Sequence, residues 1–290
     1  MKKNLKFFIS IVIVFITVVN LSAVTYHVNA SQSDDSSDEL SRATSNQNIQ
    51  ATVNLAATNV VDSKEIVHRD SKIEIVVILH GLNRTSRSMK KMAKWLTREG
   101  YTVLNCNYPS SKKSIAELAE GVYKEILPHI VRADAVHFVT HSMGGIVLRA
   151  MAQAHPLENM GRVVMLAPPN QGSEIVDSLG KWQVYKWING PAGLELGIVS
   201  NNSTPLKLGT PTFQLGVIAG DRTLNPFLSW IVPGADDGKV AVERTKLVGM
   251  KDFICMHVTH TWMMQNSHVI RQTVYFLKTG HFETLKNIED

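Results

Sequence analysis

Ser142 sits in the setting that points most plainly to covalent chemistry. The run Ala135-Val136-His137-Phe138-Val139 is strand-like, Thr140-His141-Ser142-Met143-Gly144-Gly145 reads as a tight turn, and Ile146 to Ala152 has helical character. A serine at the apex of strand, sharp turn and helix is lifted clear of the sheet edge, provided that small residues let the two elements approach. Gly144 and Gly145 meet that need, while Thr140 stands where the G-x-S-x-G pattern has its first glycine and tightens the approach. The N–H of Met143, at the start of the new helix, points where an oxyanion forms and carries the helix's partial positive charge. The competing reading is a plain turn in which Ser142 only caps the helix.

Two other segments supply partners. Ile73 to Leu79 has the pattern of a buried strand and runs into His80-Gly81-Leu82. Glycine permits a turn there, so the N–H of Leu82 is the candidate second oxyanion donor, against a simple strand-end turn. Near the C-terminus, Phe253 to Val258 reads as a strand and Thr259 to Met264 as the opening of a final helix. His260 lies just past that strand, where it can reach back to the serine; His257, still within it, reads as a satisfied or packed histidine. Three aspartates could orient an imidazole and stabilise its protonated form: Asp221, Asp236 and Asp237.

Taken in order, H-G-L at 80–82, H-S-M-G-G at 141–145, D-G-x-V at 237–240 and V-T-H-T at 258–261 resemble the α/β-hydrolase superfamily. Within it, the similarity is to bacterial lipase and esterase-like enzymes, and it extends over about residues 66 to 285. The resemblance implies a mostly parallel central sheet with helices on both faces. It also implies Ser142 as nucleophile, His260 as base, and the N–H groups of Leu82 and Met143 as the oxyanion hole. In such relatives the acid is the aspartate before G-x-V, which favours Asp237, with Asp221 second and Asp236 third. The reaction so implied is carboxylic ester hydrolysis through an acyl-enzyme, with no metal or organic cofactor. The same constellation serves thioester, amide or phospholipid acyl bonds, or acyl transfer; the fold also hosts perhydrolases and lyases. A binding protein on a retired hydrolase fold is the alternative of a different class.

The elements that must hold these residues alternate along the chain. Helices are expected over about 88–99, 114–130 and 146–155, with strands at 101–107, 162–167, 213–219 and 252–258 and a closing helix over 262–278. Strands alternating with helices call for a parallel sheet covered on both faces with right-handed crossovers. The alternation breaks over 173–212, where Trp182, Tyr185, Trp187 and Ile188 precede Asn189-Gly190-Pro191. A cap over the site and a packed surface excursion stand level there.

Composition is that of an ordinary globular protein, 44% hydrophobic and 19% charged over 290 residues. Residues 1–30 carry three lysines among the first six residues, continue with the apolar Phe7 to Val24 and end on small residues, as a signal peptide does. A signal anchor is the alternative, since the run is about long enough to span a bilayer. Either reading puts the catalytic domain, residues 63–290, outside the cytoplasm. Residues 31–62 are polar and lack apolar period, the pattern of a linker. The net charge of +5 permits contact with a lipid surface but marks no nucleic-acid site. Cys106 and Cys255 are expected at separate places in the sheet, as two buried free thiols. No histidine or cysteine spacing matches a zinc site.

Overall fold

Continuous apolar runs form the sheet because its strands are buried on both faces. In β1 (Glu74–Leu79), Val76, Val77, Ile78 and Leu79 are all fully buried, each worth about 1.5–3 kcal/mol relative to exposure. The chain is represented by a computed structural model that describes residues 72–198, 203–223, 232 and 234–283. The signal segment and the linker expected over 1–62 lie outside these residues. The described residues belong to the unit that starts at His68.

Six strands pair in the order β2-β1-β3-β4-β5-β6, all parallel. They are β1, β2 (Thr102–Asn105), β3 (Ala135–His141), β4 (Met160–Leu166), β5 (Leu215–Gly220) and β6 (Asp252–Met256). Alternate residues of β1 feed opposite cores, because strand side chains alternate between faces. Ile75, Val77 and Leu79 meet α2 (Ile115–Ile130) and α3 (Met143–Ala154). Val76 and Ile78 meet α1 (Lys90–Arg98) and α7 (Ser267–Thr279). Helix α2 starts on the expected capping box: Glu117 N–H donates to Ser114 Oγ at 3.3 Å and Ser114 N–H to Glu117 Oε2 at 2.9 Å.

Strand order creates the site's position. From β1 the chain passes through α1 to β2 on one side; from β3 it passes through α3 to β4 on the other. The C-terminal ends of β1 and β3 therefore flank the switch in winding direction, the place where parallel sheets open a crevice. His80-Gly81 and His141-Ser142 are the residues at those two ends.

Several expected boundaries differ. The last helix begins at Ser267 rather than Trp262, because Asn266 Oδ1 accepts the N–H groups of His268 and Val269 and caps it there. Met263–Gln265 forms only a 3₁₀ turn. Strands β2 and β6 are shorter than expected and lie at opposite sheet edges, so Cys106 and Cys255 are apart and both free. Cys255 is exposed, not buried as expected, because an edge strand has an uncovered flank.

The interruption of the alternation contains α4 (Glu174–Leu179), α5 (Gln183–Leu194) and α6 (Thr204–Lys207). Its aromatics do not act as one surface. Tyr185 packs inward against both α4 and the main core, whereas Trp182 is 41% and Trp187 85% exposed. Helix α5 is broken at Gly190, with φ of 61° and ψ of −168°. A Cβ there would overlap the carbonyl of Ser111. The far end of the insertion is tied down by buried Arg149, which donates to the carbonyls of Pro205, Leu208 and Gly209 and to Asn170. No helix among the described residues is long and apolar enough to cross a membrane.

Candidate active site

The turn between β3 and α3 holds Ser142 at φ 53° and ψ −126°. A residue with a Cβ at positive φ costs about 1–3 kcal/mol and persists only where its surroundings over-determine it. Here they do: Ser142 N–H donates to Leu166 C=O at 2.8 Å and Gly145 N–H to Ser142 C=O at 3.0 Å. Gly144 is required by close approach. A Cβ on it would lie 2.7 Å from the Leu79 carbonyl oxygen and 2.8 Å from that of His80, both backbone atoms at the end of β1. Gly144→Ala is therefore expected to destabilise by about 1–3 kcal/mol, lowering Tm by roughly 2–10 °C. Gly121→Ala, in mid-helix with open space around it, is expected to raise stability by about 0.5–1 kcal/mol. Thermal melts of the two variants check the contrast; equal shifts would remove the close-approach argument.

Three side chains from three loops form one hydrogen-bonded line. Ser142 Oγ is 3.0 Å from His260 Nε2, and His260 Nδ1 is 2.7 Å from Asp237 Oδ2. A carboxylate only accepts, so Nδ1 carries the proton and Nε2 presents its lone pair to the serine hydroxyl. The Asp237 side chain is fully buried and that of His260 is 5% exposed, while Ser142 is partly open to solvent. Asp237 Oδ1 accepts the N–H groups of Lys239 (3.0 Å) and Val240 (2.9 Å), and the Asp237 carbonyl accepts His260 N–H at 3.0 Å. The loops that bear Asp237 and His260 are thereby locked to each other.

The other two aspartates are occupied elsewhere. Asp236 Oδ1 accepts Gly238 N–H at 2.7 Å, a turn contact. Asp221 pairs with His257 at 2.9 Å. Of the two expectations for His257, satisfied or packed, the first is met by Asp221; β6 ends at Met256, and the side chain is 75% exposed.

The loop after β1 closes on the serine. A Cβ on Gly81 would lie 3.2 Å from Ser142 Cβ and 2.9 Å from His141 Nδ1, so the Gly81–Leu82 backbone runs beside Ser142. Met143 is the first residue of α3, and its N–H has no acceptor within the helix. The ring of His80 braces this loop: Nδ1–H donates to Gly81 C=O at 2.9 Å, and Nε2 accepts Tyr108 N–H at 3.3 Å. Tyr108 stacks on it at 4.1 Å and donates its hydroxyl to the His80 carbonyl. Burial holds the His80 imidazole neutral by lowering its pKa, and one neutral tautomer satisfies both ring contacts.

His141, too, was legible only as part of a motif. Its Nε2–H donates to the His260 carbonyl at 3.0 Å. Burial first, and then the neighbouring His260 and Arg84, push its pKa well below that of a free imidazole. It thus serves as a neutral donor that fixes the backbone of the loop bearing His260. No spacing rule marks such a contact, which joins residues 119 apart. The insertion meets the loop after β1 through Asn83 Nδ2, which donates to Asn189 Oδ1 at 3.0 Å, and through Gly193, where a Cβ would lie 3.0 Å from Leu82 Cδ2.

Comparison with known proteins agrees with this architecture. Residues 75–202 match the sequence model of the palmitoyl protein thioesterase family. That stretch contains the H-G and the serine turn but ends before Asp237 and His260. The lysosomal thioesterase PPT2 of Mus musculus is 24% identical over 214 residues, covering 64% of this chain and 70% of that protein. The Homo sapiens protein of the same name is 24% identical over 206 residues, 61% and 68% of the two chains. Among solved structures, the mature lipase BlEst2 of Bacillus licheniformis superposes with a TM-score of 0.56 at 20% identity, over 74% of this chain and 96% of that one. The metagenomic carboxyl esterase MGS0156 superposes with a TM-score of 0.51 at 16% identity, over 65% and 64%. With its parallel six-stranded sheet and a serine turn at the switch in winding direction, this chain has the α/β-hydrolase fold.

Proposed function

We propose that this protein hydrolyses acyl esters by way of Ser142, His260 and Asp237. The observation that carries the reading is the line from Ser142 Oγ to His260 Nε2 and from His260 Nδ1 to Asp237, at 3.0 and 2.7 Å. His260 takes the hydroxyl proton as Ser142 Oγ bonds to the acyl carbon, and the carbonyl oxygen becomes an oxyanion. The N–H groups of Leu82 and Met143 stabilise that charge. Collapse breaks the bond to the leaving group, which departs with the proton from His260. Water, deprotonated by the same histidine, then releases the acid from Ser142. Asp237 stays ionised throughout, holding the tautomer and balancing the imidazolium.

A second reading, thioester hydrolysis, is favoured by the match to the palmitoyl protein thioesterase family. The same residues serve it with a thiolate as leaving group. Paired oxygen esters and thioesters of one acyl chain, from two to sixteen carbons, separate the two readings. We expect kcat/KM to rise by up to about fourfold per methylene until the acyl site is full, as burial contributes about 0.8 kcal/mol each. Trp187 lies in solvent, so Trp187→Ala is expected to leave that slope unchanged, contrary to the expectation of an aromatic cover. A profile that peaks at acetate would make this a small-substrate esterase. The start of the chain, basic and then apolar, supports export from the cytoplasm, and a lipid or ester is the natural partner of such a site.

A further inference from the structure

Two cations stand on the loops that carry the proposed machinery. Arg84 closes the turn that begins at Gly81, its N–H donating to the Gly81 carbonyl at 3.3 Å, and Gly81 is the residue packed on Ser142. Lys239 follows the acid by two residues, its N–H donating to Asp237 Oδ1 at 3.0 Å. The two side chains feel each other. Lys239 is exposed, yet desolvation by the surrounding loops, followed by the positive charge of Arg84, pushes its ammonium down to about 8, against the opposing pull of Asp237. Both charges also act on buried His141 beside the serine.

None of the ion pairs among the described residues uses Arg84 or Lys239. Asp237, the carboxylate nearest in chain to Lys239, is engaged by His260 on one oxygen and by two backbone N–H groups on the other. Arg149 shows how this fold satisfies a buried guanidinium when the purpose is structural, with donations to four carbonyls and an amide oxygen. Arg84 is partly buried, with its pKa lowered by that burial, and no such cage is built around it among the described residues. Two like charges beside a carboxylate whose oxygens are already engaged by His260 and by backbone N–H groups favour a bound anion.

We propose that Arg84 and Lys239 form an anion subsite at the rim of the Ser142 cleft, and that the preferred acyl donor carries a phosphate, as a lysophospholipid does. The inference rests on the hydrolase reading above and names the substrate class for it. The guanidinium offers a planar fork to two phosphate oxygens, and the ammonium a mobile point charge. The reacting ester of such a lipid lies a few bonds from its phosphate, so the subsite orients the carbonyl on Ser142 instead of merely holding the molecule.

Binding to the Ser142→Ala protein tests the subsite independently of turnover. Titration calorimetry with a short-chain lysophosphatidic acid, the monoacylglycerol of the same chain, and inorganic phosphate is the measurement. The phosphorylated lipid is expected to bind at least about 10-fold more tightly than the neutral one, and R84Q or K239Q to reduce that ratio by about 10-fold each. Kinetics on the otherwise unchanged protein should show the same change in the ratio of kcat/KM values. Equal affinities for the two lipids, or variants that leave the ratio alone, overturn the subsite. Inorganic phosphate that binds as tightly as the phosphorylated lipid would assign the site to the free anion and overturn the lipid class. A protein that binds the phosphorylated lipid selectively yet turns over no ester would keep the subsite and sink the hydrolase reading.

Discussion

Replacing Ser142 by alanine is expected to lower kcat on any ester that the protein cleaves by about 10³-fold or more, with the fold intact. Removing a triad member leaves only the oxyanion donors and binding to act on the substrate. Stability distinguishes loss of chemistry from loss of structure. Alanine keeps a Cβ at φ 53°, so the strain at the turn stays and the melting temperature should hardly move. Ser142→Gly removes the Cβ and with it about 1–3 kcal/mol of strain, offset by about 0.5–1 kcal/mol of added backbone entropy in the unfolded chain. Glycine should therefore be as inactive as alanine and yet melt higher. Covalent labelling by a fluorophosphonate should be lost in both variants. Near-native turnover of a p-nitrophenyl ester by Ser142→Ala would remove the serine from the mechanism.

What could be read from the residues follows the local physics of each signal. A strand buried on both faces must be apolar throughout, so β1 and β3 stand out in the chain, and the turn after β3 needs small residues that are visible as Gly144 and Gly145. The order of the motifs then fixes which loops meet. What could not be read depends on long-range contacts. Thr259 to Met264 has the composition of a helix start, but His260 N–H is held by the Asp237 carbonyl, and Asn266 is the better cap, so the helix waits until Ser267. Composition alone leaves a cover and a packed surface excursion level for Trp182, Tyr185 and Trp187, because apolar residues are expected inside in either case; Tyr185 turns in, while Trp182 and Trp187 are exposed. The neutral donors His80 and His141 leave no trace in spacing, since their partners come from other elements.

The choice among three aspartates was the least determined feature of the sequence, and it yields the sharpest remaining test. Among the described residues two Asp–His pairs lie three residues apart in the histidines: Asp237 with His260, and Asp221 with His257. They differ in environment. The first is buried and its histidine reaches Ser142; the second is solvent-exposed, with side chains 39% and 75% accessible. An exposed pair contributes about 0–1 kcal/mol and orients nothing, whereas a buried carboxylate sets which imidazole nitrogen carries the proton. Asn at 237 can turn its amide N–H₂ toward Nδ1, which then becomes the acceptor and leaves Nε2 protonated against the serine hydroxyl. The base is then in the wrong tautomer. We expect Asp237→Asn to reduce kcat by about 10²- to 10⁴-fold, and His260→Ala by at least as much. Asp221→Asn and His257→Ala should each change it by less than about threefold. Side-by-side kinetics with thermal melts decide the matter, since the melts show whether a loss at 237 reflects unfolding of the loop whose two N–H groups bond that carboxylate. A larger loss at Asp221 than at Asp237 in folded proteins would transfer the acid to the loop after β5 and leave the buried pair as a purely structural clamp.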